Sequence, residues 1–203
     1  MLLISVIESG IMGAQLAQGN DAITLLANAI ATGCMLYVII TVLGPISGAH
    51  FNSAVSLAFA LRGELSGVAF AGFVTAQITG AFIGVWAAHM MFDLPVFQIS
   101  QTMHRTGSAQ WTSEALATLG LLFVIFGGLR ARPDAVPTLV ALYITGTYWF
   151  TSSTSFANPA VTLARGFSDT FAGINPSHIA IFIVVQVVAV LIGHIALKQL
   201  LDE

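Results

Sequence analysis

Ser47-Gly48-Ala49-His50-Phe51-Asn52-Ser53-Ala54-Val55 and Thr154-Ser155-Phe156-Ala157-Asn158-Pro159-Ala160-Val161-Thr162 decide how this chain folds. In each, an asparagine followed by small residues opens an apolar piece too short to cross a membrane, residues 52–61 and 158 to about 167. Such a piece reads as a helix start whose first turn is capped by the asparagine side chain. Half-length helices at corresponding places in two halves of a membrane chain point to an inverted repeat with a site at the midplane.

The sequence around these stretches is that of a membrane protein. Of 203 residues, 57% are hydrophobic and 7% charged, whereas charged residues make up about a quarter of a soluble domain. Apolar runs long enough to span lie at about Asp21 to Leu43, Leu65 to Phe92, Trp111 to Leu129, Ala135 to Phe150 and Ser177 to Leu200. A sixth run, Met1 to Leu16, reaches only about 24 Å of a hydrocarbon core roughly 30 Å thick. Either the bilayer thins around it or residues precede Met1. The pattern predicts one channel domain over residues 1–203, with a first half at about 1–92, a connecting loop at about 93–110 and a second half at about 111–203. With three spans per half and both termini in the cytoplasm, Arg62, Arg130, Arg132 and Lys198 fall inside and Arg105 outside. A formal net charge of -3 from so few charges offers nothing to nucleic acid. The lone Cys34 excludes an intramolecular disulfide, and no cleavable leader is expected.

A half-helix at membrane depth starts with N–H groups that lipid cannot satisfy. An asparagine carbonyl oxygen caps them, and its amide is predicted to stay free to donate into a lumen. Two such helices meeting head to head bring their positive ends together, which suits a neutral solute and repels a cation.

The paired boxes resemble the asparagine-proline-alanine boxes of the aquaporin and glycerol-facilitator family, and the resemblance runs from about Ser9 to Leu200. It implies an all-α membrane protein: an aquaporin-like right-handed bundle of six transmembrane helices plus two half-helices in an inverted repeat. Asn52, Ser53, Ala54, Asn158, Pro159 and Ala160 would form the pore midplane. The first box departs from the pattern, with Ser53 where proline is usual, so a slightly looser helix start with the same cap is expected. Family spacing puts the selectivity filter at Thr32, Gly146, Ser155 and Val161. Most of the family has arginine at that last position; valine removes bulk, donors and charge, so the filter is expected to be wide, weakly polar and without an aromatic wall. Arg165, one helical turn on, is expected nearer the midplane or packed against the bundle. Glu114 corresponds to a family glutamate that supports the second box loop, and a matching glutamate in the first half is missing. Glu8 is not expected to replace it. His50 is expected to bond the first box loop or to face the cytoplasmic vestibule.

This combination resembles the bacterial aquaglyceroporins associated with arsenic resistance. It implies passive passage of small uncharged solutes (glycerol-like polyols, urea, arsenite or other trivalent arsenicals, and water) in a bacterial inner membrane, as a homotetramer and without cofactor or metal. His89, His104, His178 and His194 have no metal-ligand spacing, and no catalytic constellation is present, so an enzyme is not expected. Two other readings stand beside the channel: a non-conducting or incompletely folded relative, favoured by the short first span, and a secondary transporter, which would need titratable groups at the midplane.

Overall fold

The computed structural model describes residues 1–201. Eight α-helices follow in order: α1 (Leu2–Leu16), α2 (Asp21–Ser47), α3 (Ser53–Leu61), α4 (Gly67–Met91), α5 (Ser108–Ala131), α6 (Val136–Phe150), α7 (Pro159–Arg165) and α8 (Ile179–Leu201). Short 3₁₀ turns, Pro133–Ala135 and Pro176–His178, lead into α6 and α8. No strand occurs among the described residues.

The boundaries follow from capping chemistry. The Asn20 side chain accepts from the N–H groups of Ala22 and Ile23 to start α2, and the Ser66 hydroxyl accepts from Ala69 N–H to start α4. Gly48 closes α2 at φ 73°, a left-handed conformation that glycine adopts without penalty. The half-helices are only 9 and 7 residues long. Helices α2, α4, α5 and α8, the last with the 3₁₀ turn before it, are long and apolar enough to cross a bilayer, whereas α1 and α6 have 15 residues each.

Both half-helices pack against α4 and α8, the last helix of each half. Around them, α1 lies on α2 and α4, α2 on α6, and α5 on α6 and α8. Small buried residues at these contacts, among them Ala29, Ala58, Ala117, Ala164 and Ala189, let the backbones approach closely. Large apolar side chains such as Val42, Phe123, Leu142, Val184 and Ile195 are exposed on the outside, where lipid is their solvent. The Asn28 amide ties α2 to α1 by donating to Val6 O at 2.7 Å and Ser9 Oγ at 2.9 Å.

The connecting segment, residues 92–107, is shorter than the sequence implies because α5 begins at Ser108. It is stitched to the loop after α7. Ser100 N–H donates to Gly166 O and Asn175 N–H to Met103 O. A single Asp169 carboxylate oxygen accepts from Gln101 N–H at 2.8 Å, Thr102 N–H at 3.0 Å and the Thr102 hydroxyl at 2.9 Å. Arg105, expected as an outer loop charge, is instead 7% exposed. It donates to Gly173 O, Ser153 O and Phe171 O, so it holds three loop carbonyls together.

Candidate pore and filter

The two box loops meet inside the bundle through reciprocal hydrogen bonds. Asn52 Nδ2 donates to Ala157 O at 2.7 Å, and Asn158 Nδ2 donates to Phe51 O at 2.9 Å. Each loop reaches this pairing through non-glycine residues in the left-handed region. Ala49 and Phe51 (φ 50° and 44°) in the first loop match Ser155 and Ala157 (φ 52° and 45°) in the second, three and one residues before the asparagine. Such conformations are uncommon for residues with a Cβ and persist only where surrounding bonds enforce them. The asparagine amides are therefore not wholly free, contrary to the expectation from sequence. One hydrogen of each is spent across the junction, and one is left.

The caps differ between halves. Asn158 Oδ1 accepts from Ala160 N–H at 3.1 Å and Val161 N–H at 3.3 Å, whereas Asn52 Oδ1 accepts from Ala54 N–H alone, at 2.8 Å. Ser53 turns away from the lumen, and its hydroxyl donates to Gln77 Oε1 at 2.8 Å. Gln77 Nε2 donates in turn to Ser56 Oγ at 2.9 Å.

The second half repeats this device with Gln186, whose Nε2 donates to Thr162 Oγ1 at 3.0 Å and to Glu114 Oε2 at 2.7 Å. The Glu114 carboxylate, fully buried, accepts from Phe156 N–H and Ala157 N–H at 2.8 Å each. Among the described residues no carboxylate occupies the corresponding place in the first half. There His50 Nδ1 meets Ser56 Oγ at 3.1 Å, with its ring stacked between Phe59 and Phe73. Glu8 makes no bond to the first box loop, and its buried Oε1 has no partner among the described residues. Gln77 and Gln186 escape a reading by motif; their signal is a glutamine within the apolar run of the last span of each half.

A cavity of about 130 Å³ passes the junction and contains Asn52 and Asn158 in its wall. That is room for a short file of water-sized molecules, each needing about 10–15 Å³ on this measure. On the α2, α5 and α6 side the wall is apolar, with Leu36, Leu121, Ile125, Val140 and Ile144. His50 and Phe59 line it before the junction, and Thr32, Tyr148, Ser155, Phe156, Val161 and Arg165 beyond it.

A family profile described as major intrinsic protein matches residues 1–152, three quarters of the chain. The chain belongs to the major intrinsic protein family. It is 50% identical to aquaglyceroporin AqpS of Rhizobium meliloti (strain 1021) over 202 residues, the whole of this chain and 86% of that protein. It is 33% identical to aquaporin NIP1-1 of Zea mays over 132 residues, 64% of this chain and 46% of that protein. To the lens fiber major intrinsic protein of Gallus gallus it is 30% identical over 135 residues, 64% of this chain and 52% of that protein. The fold is accordingly the aquaporin fold, and the chain is a multi-pass membrane protein.

The lining of the cavity differs in part from the filter set that family spacing implies. Thr32, Ser155 and Val161 line the cavity, but Gly146 does not: a Cβ placed there would meet Phe150. Tyr148, two residues on, enters the wall instead, and its hydroxyl lies 3.2 Å from Thr32 Oγ1. With Phe156 it supplies the aromatic wall that the sequence reading left out. The placement of Arg165 nearer the midplane is also overturned. Because α7 runs from the junction toward the stitched loops, its last residue lies among them, with Arg165 Nε donating to Ala172 O and Ile174 N–H to Arg165 O. Arg165 is packed, as expected, but it also faces the lumen.

Proposed function

We propose that the chain is a passive transmembrane channel for small neutral solutes: polyols of glycerol size, urea, trivalent arsenic hydroxide and water. The observation that carries this reading is the asparagine junction set in the wall of a cavity whose α2, α5 and α6 side is apolar. Each asparagine keeps one amide hydrogen for a passing solute oxygen, while the half-helix starts are already capped. A solute can exchange water hydrogen bonds for these donors, and a cation finds donors where it needs acceptors. Among the described residues the junction itself offers amides and backbone carbonyls, not the titratable side chains that ion-coupled transport requires. Aquaglyceroporin AqpS, half of whose aligned residues this chain shares, is named for water and glycerol, two of these solutes.

In this reading Asn52 and Asn158 hold the solute at the midplane, Thr32, Ser155 and Val161 set the width beyond it, and Glu114 and His50 support the two box loops. The chain sits in a bacterial inner membrane with both termini cytoplasmic and assembles as a homotetramer with one pore per subunit. It acts without a cofactor and is not an enzyme. Stopped-flow light scattering on proteoliposomes tests the proposal with glycerol, urea and arsenite gradients. Fluxes well above those of empty vesicles, unchanged by proton or sodium gradients, are expected; fluxes equal to empty vesicles for every solute refute it.

A further inference from the structure

The two half-helices carry a repeated contact whose partners differ. Seven residues past each box asparagine, a side chain lies against the ring two residues before that asparagine. In the first half Phe59 stacks on His50, with ring centroids 4.4 Å apart. In the second half the pair is Arg165 on Phe156, with the guanidinium carbon 3.4 Å from the ring centroid. Since α3 and α7 each start at a box asparagine, this position faces the lumen in both, and both residues line the cavity.

Arg165 is 2% exposed and spends only Nε on protein, at Ala172 O. Its two Nη groups make no hydrogen bond to any described residue. A buried guanidinium with unused donors is costly unless something meets them. Ser155, 4% exposed and in the same stretch of wall, has a buried hydroxyl without a partner. The Thr32–Tyr148 hydroxyl pair, in the wall of the same cavity, completes a group of hydroxyls and guanidinium donors that Val161 also borders. Arg105 approaches the same Phe156 ring, with its guanidinium carbon at 5.1 Å, but its donors are committed to the loops. It braces the arrangement and adds positive charge.

We propose that Arg165 supplies the guanidinium of the outer filter, and forms with Ser155 and the Thr32–Tyr148 pair a subsite for one polyhydroxylated neutral solute and a barrier to cations. This inference rests on the channel reading. The valine at 161 then leaves width, and the charge is supplied one turn further out, flattened against Phe156, so that it donates without closing the lumen. A solute with several hydroxyls can bridge the Arg165 donors and the Ser155 hydroxyl; urea, with a single acceptor oxygen, cannot do so as fully.

The test compares wild type, Arg165→Met, Arg165→Lys and Ser155→Ala in proteoliposomes, measuring glycerol, urea and sodium flux on each. Wild-type protein that moves no solute overturns the channel reading itself. If wild type conducts, Arg165→Met is expected to raise sodium leak about tenfold and to shift the glycerol-to-urea ratio by about tenfold. Arg165→Met with wild-type sodium leak and ratio overturns the inference. Arg165→Lys keeps the charge but loses the planar fork, so sodium stays excluded while the ratio shifts. If Arg165→Met does not fold, Arg165→Lys and Ser155→Ala decide: both retaining the wild-type ratio within twofold overturns the proposal, and a shift in either supports it.

Discussion

Replacing Glu114 by glutamine tests how the second box loop is held. The carboxylate accepts from Phe156 N–H, Ala157 N–H and Gln186 Nε2 at 2.8, 2.8 and 2.7 Å in a fully buried place. In Glu114→Gln one oxygen still accepts from a backbone N–H, but the other becomes an NH2 that faces a second N–H. Gln186 can turn its amide to meet the new donor; the backbone N–H cannot turn. One buried N–H is left without an acceptor, at about 1–3 kcal/mol, and the surviving bond drops from charged to neutral, at about 1 kcal/mol more. The sum is roughly 2–4 kcal/mol, or a fall of about 5–15 °C in melting temperature for a chain of this size. Because Ala157 O also receives the Asn52 amide, the freed loop disturbs the junction and solute flux falls with stability. Thermal melting in detergent, followed by size exclusion, gives the first quantity and stopped-flow the second. Glu114→Ala, which leaves both N–H groups without an acceptor, is expected to lose roughly twice as much. A Glu114→Gln protein that melts within about 1 °C of wild type and conducts normally refutes this account of the loop.

Asn158→Ala removes two cap bonds and one cross-junction bond, and Asn52→Ala one of each. The first should destabilise by roughly 2–3 kcal/mol and the second by about 1 kcal/mol less, measured by melting. Gly173→Ala would place a Cβ 2.3 Å from Ser168 O and 2.6 Å from Ser100 Oγ. It should displace the carbonyl that Arg105 holds and cost about 1–3 kcal/mol. Val161→Arg should cut glycerol flux more than water flux, because it adds bulk to the wall that Val161 lines; equal losses argue against that placement. Hydrogen bonds to Asp169, first of all from Thr102 N–H, hold its carboxyl below the usual range. A folded value below the unfolded one means that this tie between the loops is present at neutral pH and lost as pH falls through the folded value, below about pH 4. Hydrogen exchange at residues 101 and 102, corrected for intrinsic rate, should rise in that acid window. In Asp169→Asn it should already be high at pH 7.

The spans, the half-helices and their asparagine caps were legible in the chain because they depend on local quantities: the length of an apolar run, and a capping side chain next to the N–H groups it satisfies. Both boxes begin helices where the sequence says they do, and Ser53 keeps the cap while its hydroxyl finds Gln77. The lining of the cavity was less legible. Counting from the boxes reaches Thr32, Ser155 and Val161, but misses Tyr148 in favour of Gly146, because a difference of two residues on a helix rotates a side chain to another face. The packing of Arg165 was legible but its depth was not, because the depth depends on which way α7 runs from the junction.

The sequence by itself determined that this is an inverted-repeat membrane protein with a paired asparagine site, since hydropathy and capping act between near neighbours in the chain. Only the tertiary structure decided that each asparagine donates to the other repeat's carbonyl, that Gln77 and Gln186 brace the two half-helices, and that the Arg165 guanidinium lies on the Phe156 ring in the cavity wall. These contacts join residues far apart in sequence, and they exist only once the rotation and depth of every helix are fixed by packing.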